Sequence, residues 1–131
     1  MLVVDTSAVV NALVGSPPDH RLVARLAADG DLHAPHLLDV ELLYTLRRLV
    51  TTARLTEDRA ADARTDFADL TIVRYPHHPL ADRVWGLRHN LTAYDATFVA
   101  LSEALGVSLV TCDARLAGAP GHQARVELFG G

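Results

Sequence analysis

The sequence predicts an α/β fold, a three-layer α/β/α arrangement around a central, mostly parallel sheet, and three observations carry that expectation. Half of the residues are apolar while only 5% are aromatic, so the core must be built mainly from Leu, Val and Ala. Short apolar runs such as Leu2 to Val4 and Val107 to Thr111 read as buried strands, because a strand covered on both faces loses the alternation of apolar and polar residues. Between such runs lie longer segments with apolar residues at helical spacing. Strands separated by helices of that length are joined by crossovers in a parallel sheet.

Leu2 to Val4 is the first strand, and Asp5 follows it directly. Ser7 to Leu13 is expected to be a short helix, closed by the breaker cluster Gly15-Ser16-Pro17-Pro18. Asp19 is the N-cap of a second helix, whose Leu22, Val23 and Leu26 recur at helical spacing and which Gly30 ends. Leu32 to Ala34 forms a brief strand before Pro35. Leu37 to about Ala53 has the strongest helical pattern, with Leu38, Leu42, Leu46, Leu49 and Val50 along one stripe. Thr56 caps the next helix, Glu57 to Ala68, which carries acids in its first turn where the helix dipole favours them. Thr71 to Tyr75 is a strand stopped by Pro76 and Pro79, and Leu80 to His89 is a short helix. Thr92 caps the apolar segment Ala93 to Leu105, and Gly106 stands where a left-handed glycine terminates a helix. Val107 to Thr111 is a buried strand, with Val126 to Phe129 the candidate for a last one.

The 131 residues suit a single domain over 1–131, without repeats or a linker long enough to divide it. No apolar stretch approaches the roughly 20 residues of a membrane span. The start lacks a basic region, and Asp5 interrupts its apolar run, so no signal peptide is expected. Cys112 is the only cysteine, which excludes an intrachain disulfide and a Cys-rich zinc site and fits a reduced, cytoplasmic setting. The net charge of −4 does not advertise nucleic-acid binding. All 12 basic residues are arginine, which can grip phosphate through its two-pronged head, although arginine-rich codon usage would leave the same bias. The absence of lysine excludes a phosphoacceptor module of the response-regulator type and argues against a haloacid-dehalogenase-type phosphatase, which would also need an aspartate at Ser7. A P-loop nucleotide hydrolase is excluded by the missing Gly-Lys-Ser/Thr sequence.

The position of certain acids is more informative than their number. Asp5 and Asp113 each follow a buried strand, on the edge where open parallel sheets bind ligands. Glu41 and Asp95 lie in the early turns of helices and are surrounded by apolar residues. A lone buried carboxylate is costly, and pairing with arginine is the ordinary remedy. Several carboxylates turned toward one cleft would instead repel one another unless a cation sat among them. Oxygen donors without His or Cys partners suit Mg²⁺ or Mn²⁺ better than zinc.

These residues resemble a known family. The opening LVVDTSAVV, the helix APHLLDVELLYTLRRL and the segment LTAYDATFVALSEALGVSLVTCDARL are similar, in order and spacing, to the three blocks of PIN-domain nucleases, particularly VapC-type toxins. The resemblance implies a metal-dependent endoribonuclease in which Asp5, Glu41, Asp95 and Asp113 hold one or two Mg²⁺ ions directly or through water, with Asp113 at the position most variable in its contact with metal. It also implies a homodimer and a cognate VapB-type antitoxin whose C-terminal segment blocks the cleft. Ser7 and Thr111 carry hydroxyls that could orient a carboxylate. The competing reading is a catalytically silent PIN-like binding or assembly module.

Other residues have plainer roles. Asp39, two residues before Glu41, faces elsewhere on its helix and is expected to be solvated or paired with arginine. The acids from Glu57 to Asp69 form a solvated face. His77 and His78 are expected in an exposed loop, and Cys112 as a small buried filler. Trp85 is expected to be packed with Val84 and Leu87, while Tyr94, beside Asp95, is the aromatic expected to line the cleft. Arg47, Arg48, Arg83, Arg88 and Arg115 are the candidate phosphate contacts, with Arg115 and Tyr94 carried forward as substrate-binding residues.

Overall fold

The computed structural model describes residues 1–130; the domain expected over 1–131 ends on Gly131, which lies outside the described residues. Strands β1 (Leu2–Val4), β2 (Leu32–Pro35), β3 (Ile72–Tyr75), β4 (Leu109–Thr111) and β5 (Val126–Leu128) form one sheet in the order β3-β2-β1-β4-β5. Every pairing is parallel, with Val3 opposite His33 on one side and Leu109 on the other. Around it lie α1 (Thr6–Val14), α2 (His20–Asp29), α3 (Leu37–Thr51), α4 (Glu57–Asp69), α5 (Ala81–Gly86), α6 (Ala93–Leu105) and α7 (Ala114–Ala117). The three-layer parallel arrangement is therefore present as expected.

The strand order locates the functional edge. From β1 the chain steps outward to β2 and β3, then returns to lay β4 against the other side of β1. The direction of winding reverses between β1 and β4, so the helices that follow the two strands diverge and leave a crevice beyond their carboxyl ends.

Helix α6 anchors the core beside that crevice. Ala96 to Ser102 are all buried, as an all-round apolar helix requires. The two hydroxyls taken inside are satisfied locally, Thr97 donating to the Ala93 carbonyl and Ser102 to the Val107 carbonyl. The Val107 N–H in turn bonds to the Ser102 carbonyl (3.2 Å), closing the helix end. That closure is why β4 starts at Leu109 and not at Val107, where the apolar run begins.

Three further details depart from the sequence reading. The segment expected as one helix from Leu80 to His89 is a 3-10 turn over His78–Leu80 followed by α5, which stops at Gly86. Trp85 is not packed: it is 68% exposed, with the Arg88 guanidinium 4.6 Å from its ring centre. The inward stripe is Leu80, Val84 and Leu87, at steps of four and three residues, and Trp85 falls beside it. His77 is exposed as expected, yet its Nε2 accepts the Leu37 N–H (2.8 Å) and so caps α3.

Helix α3 ends on a strained residue. Ala53 has φ of 59°, and this left-handed turn brings the N–H groups of Arg54 and Leu55 back onto the Leu49 carbonyl at 2.9 and 3.1 Å. A side chain in that conformation costs about 1 kcal/mol that glycine avoids. Ala53→Gly should therefore raise unfolding stability by about 1 kcal/mol in denaturant titration; a destabilised variant would mean that the turn is held by something other than the backbone bonds described.

Candidate active site

Asp5 leaves the end of β1 and serves as the N-cap of α1. Its Oδ1 accepts the Ala8 N–H (2.9 Å) and the Ser7 hydroxyl (2.7 Å), and its Oδ2 accepts the Thr111 hydroxyl (2.5 Å). Only 5% of Asp5 is exposed. Thr111, the last residue of β4, also accepts the Asp113 N–H (3.0 Å), while Ser7 accepts the Cys112 N–H (2.9 Å). One hydroxyl network thus ties the ends of the two central strands together. Ser7 and Thr111 each donate a hydroxyl to Asp5.

Glu41 is brought in by α3, whose start is pinned by the His77 cap and by a bond from the His36 N–H to the Tyr75 carbonyl (3.0 Å). Its Oε1 accepts the Thr6 hydroxyl (2.7 Å). Asp95 sits in the first turn of α6, where its N–H bonds to the capping Thr92 hydroxyl. Asp113 caps the short α7 through the N–H groups of Arg115 and Leu116. The four acids come from separate segments and line one cavity of about 730 Å³ at the switch point.

Burial raises Asp5, Glu41 and Asp95 above their ordinary values, and neighbouring carboxylates add to each shift: Asp113 for Asp5 and Asp95, and Asp95 for Glu41. Hydrogen bonds work in the opposite direction, most strongly from Thr111 at Asp5 and from Thr6 at Glu41. Arg115 also opposes the shift at Asp95, because one Nη2 reaches both Asp95 (2.9 Å) and Asp113 (3.2 Å).

An oxygen-only donor set under mutual repulsion suits a hard divalent cation. Among the described residues no group of three acids, histidines or cysteines stands close enough to grip one ion outright. That does not disqualify Mg²⁺, which is commonly held through one or two carboxylates while keeping water in the rest of its shell. The residues fit a hydrated divalent ion.

The candidate substrate residues divide. Arg115 and Arg48 line the cleft, and Arg47 does not. Arg83 is engaged by Glu103 at 2.7 and 3.0 Å, and Arg88 lies over Trp85. Tyr94 is exposed and outside the cleft lining, where Tyr44 stands instead. Adjacent residues on a helix point about 100° apart, so turning Asp95 toward the cleft turns Tyr94 away from it. Asp39 is paired with Arg74 at 2.6 and 2.8 Å. Cys112 is partly buried, with its thiol pushed up to about 11 chiefly by burial.

Sequence reasoning missed Thr6, Tyr44, Thr45 and Arg54 in this site. A signal existed on α3: Glu41, Tyr44, Thr45 and Arg48 recur three, four and seven residues apart, a polar stripe running beside the apolar one.

Fold and cleft together define a parallel α/β domain with an acidic site at its strand-order switch. The PIN-domain family pattern matches residues 2–121, and the chain belongs to that family. It is 44% identical to ribonuclease VapC1 of Mycobacterium tuberculosis over 127 residues, 96% of each chain. It is 36% identical to ribonuclease VapC12 of the same organism over 128 residues, 98% of each. Among solved structures, VapBC2 from Rickettsia felis, bound to a DNA fragment from its promoter, matches with a TM-score of 0.70 and 14% identity, covering 98% of both chains. That last likeness is one of fold.

The raised carboxyls set a pH dependence. A carboxyl whose value is higher in the fold than in the unfolded chain binds its proton more tightly when folded. It therefore favours the fold at low pH and turns against it as pH rises from the ordinary 3.8 or 4.5 through the raised value. Asp19 behaves oppositely: held down to about 2 chiefly by the Gly130 N–H, it stabilises above 3.8, and this is lost as pH falls toward 2. In chelator, thermal melts should show a component of stability that declines as pH rises above about 4, and Asp5→Asn should flatten it. Parallel pH curves for the two proteins would mean that Asp5 is not raised.

Proposed function

We propose that this chain is a divalent-metal-dependent endoribonuclease of the VapC type, hydrolysing phosphodiester bonds in RNA as the toxin of a toxin–antitoxin pair. Mg²⁺ is the proposed metal, with Mn²⁺ as a substitute. The observation that carries the reading is the convergence of Asp5, Glu41, Asp95 and Asp113 on one cleft. The names of the relatives at 36–44% identity, all ribonucleases, support the substrate class.

In this reading the four acids hold the metal, directly or through water. The bound ion supplies an activated water and offsets charge on the phosphate. Asp5 is the most rigid holder, locked by Ala8, Ser7 and Thr111. Asp113 has Oδ1 committed to capping α7, which leaves Oδ2 for a ligand and makes it the weakest of the four. Glu41 is steadied through Oε1 by Thr6, so Oε2 is the atom placed to accept a proton. Arg115, which lines the cleft and bridges Asp95 and Asp113, is the cation proposed to meet the substrate phosphate. Arg115→Ala should accordingly weaken RNA binding more than metal binding, and equal RNA affinity for variant and wild type would remove it from the site.

A VapB-type antitoxin is the proposed partner, supported by the family and by the VapBC2 likeness. A homodimer is proposed as well, with the exposed Val40 and Leu43 of α3 supplying apolar surface of the kind an interface covers. No helix among the described residues is long and apolar enough to cross a membrane. The proposed setting is the reducing cytoplasm, where Cys112 stays a thiol.

The deciding assay is cleavage of RNA with added Mg²⁺ or Mn²⁺, against chelator and against Asp5→Asn. Asparagine keeps an oxygen to cap α1 while removing the charge. Activity should vanish in chelator and fall by roughly 100-fold or more in the variant. Cleavage indifferent to both would sink the mechanism, and a chain inactive under every condition would instead be a PIN-like binding or assembly module.

A further inference from the structure

The cleft is chemically two-ended. Its acids stand at the switch point, and its wall continues along α3 through Tyr44, Thr45 and Arg48 to Arg54. Arg48 is seven residues beyond Glu41 on the same face of the helix, about 10 Å along the axis at ~1.5 Å per residue. The arginine ion pairs among the described residues are made by Arg21, Arg25, Arg74, Arg83 and Arg115. Arg48 and Arg54 meet no carboxylate there, and both are exposed. An exposed arginine without a carboxylate partner is commonplace in this chain; what sets Arg48 and Arg54 apart is that both stand in the wall of the acidic cleft. The placement of Arg54 also depends on the strained turn at Ala53, which folds the chain past the end of α3 back onto the Leu49 carbonyl.

We propose that Arg48 and Arg54 form a phosphate subsite that holds the flank of a single-stranded RNA whose scissile phosphate lies at the carboxylates. The inference rests on the endoribonuclease reading and adds a direction to it: the strand leaves the acids along α3. Tyr44, three residues after Glu41 and four before Arg48, is exposed and offers a ring on which the intervening base can stack. A phosphodiester strand carries a negative charge at every repeat, so it meets bound metal at one end of the cleft and guanidinium at the other. An acidic peptide would satisfy the arginines alone. Arg47, the next residue on α3, stands outside the cleft and serves as an internal control.

The test is fluorescence anisotropy of a labelled, mixed-sequence single-stranded RNA, in chelator so that nothing is cut, at salt concentrations from about 50 to 200 mM. Neutralising one phosphate contact on a single strand contributes about 0.7 to the slope of log affinity against log salt. The double variant R48Q/R54Q should therefore lower that slope by about 1.4, while R47Q keeps the wild-type slope. Mg²⁺ binding measured by calorimetry should be the same in all three proteins, since these arginines do not touch the acids. In Mg²⁺, the loss of cleavage in the double variant should fall on KM and spare kcat. An unchanged slope in R48Q/R54Q, or an equal drop in R47Q, overturns the subsite and leaves the two arginines to a protein partner. Metal-dependent cleavage that persists with an unchanged slope sinks this inference alone. RNA binding with the expected slope change but no metal-dependent cleavage keeps the subsite and removes the nuclease reading.

Discussion

Asp5 is a carboxylate taken almost wholly out of water at the seam where the strand order of the sheet reverses, and the rest of the site is arranged around making that tolerable. Three donors meet its two oxygens, and one of them, the Thr111 hydroxyl, comes from the neighbouring central strand. An isolated buried carboxylate would cost several kcal/mol and shed its charge. Here burial still outweighs the hydrogen bonds, so the Asp5 proton is held more tightly than normal in the absence of a cation. The fold therefore stores an unmet preference for positive charge at one point, and the nearby acids deepen it.

Rigidity and compliance are distributed unequally about that point. Asp95 rides on α6, whose middle is buried on every side, and Glu41 rides on α3, pinned at its start by His77. Asp113 and Arg115 stand instead at a four-residue helix on the surface, with Arg115 itself 70% exposed. The guanidinium that bridges Asp95 and Asp113 is thus more open to solvent than either acid it holds. It supplies one positive charge where a divalent ion would supply two.

Much of this was legible in the residues. The two apolar runs followed by Asp5 and Asp113 mark strand ends at the switch point, and a parallel sheet brings those ends together whatever the chain length between them. The acids inside apolar stretches, Glu41 and Asp95, were legible for the same energetic reason. What escaped was set by rotation and by termini. Tyr94 and Trp85 look suitable by neighbourhood, but a helix turns each residue about 100° from the last, and the stripe that owns the buried side excludes them. The short α7 was invisible because four residues carry no periodicity; only its cap at Asp113 makes it a helix. Thr6 was hidden in plain view between Asp5 and Ser7, with nothing local to reveal that its hydroxyl reaches a helix that lies 35 residues further on.

The mild overall acidity of the chain also takes on a different meaning once the charges are placed. Four of the 16 acids are gathered in the cleft, and others are neutralised pairwise by arginine, as at Asp39 and Glu103. A polyanion approaching such a surface responds to the local field and not to the sum. The four carboxylates gather negative charge at one end of the cleft, while Arg115 beside them and Arg48 and Arg54 along the wall set positive charge within the same groove, so the local field is divided where the sum is only mildly acidic. A divalent ion held by those acids would offset part of their charge and so reduce the repulsion that a polyanionic strand meets at the switch point.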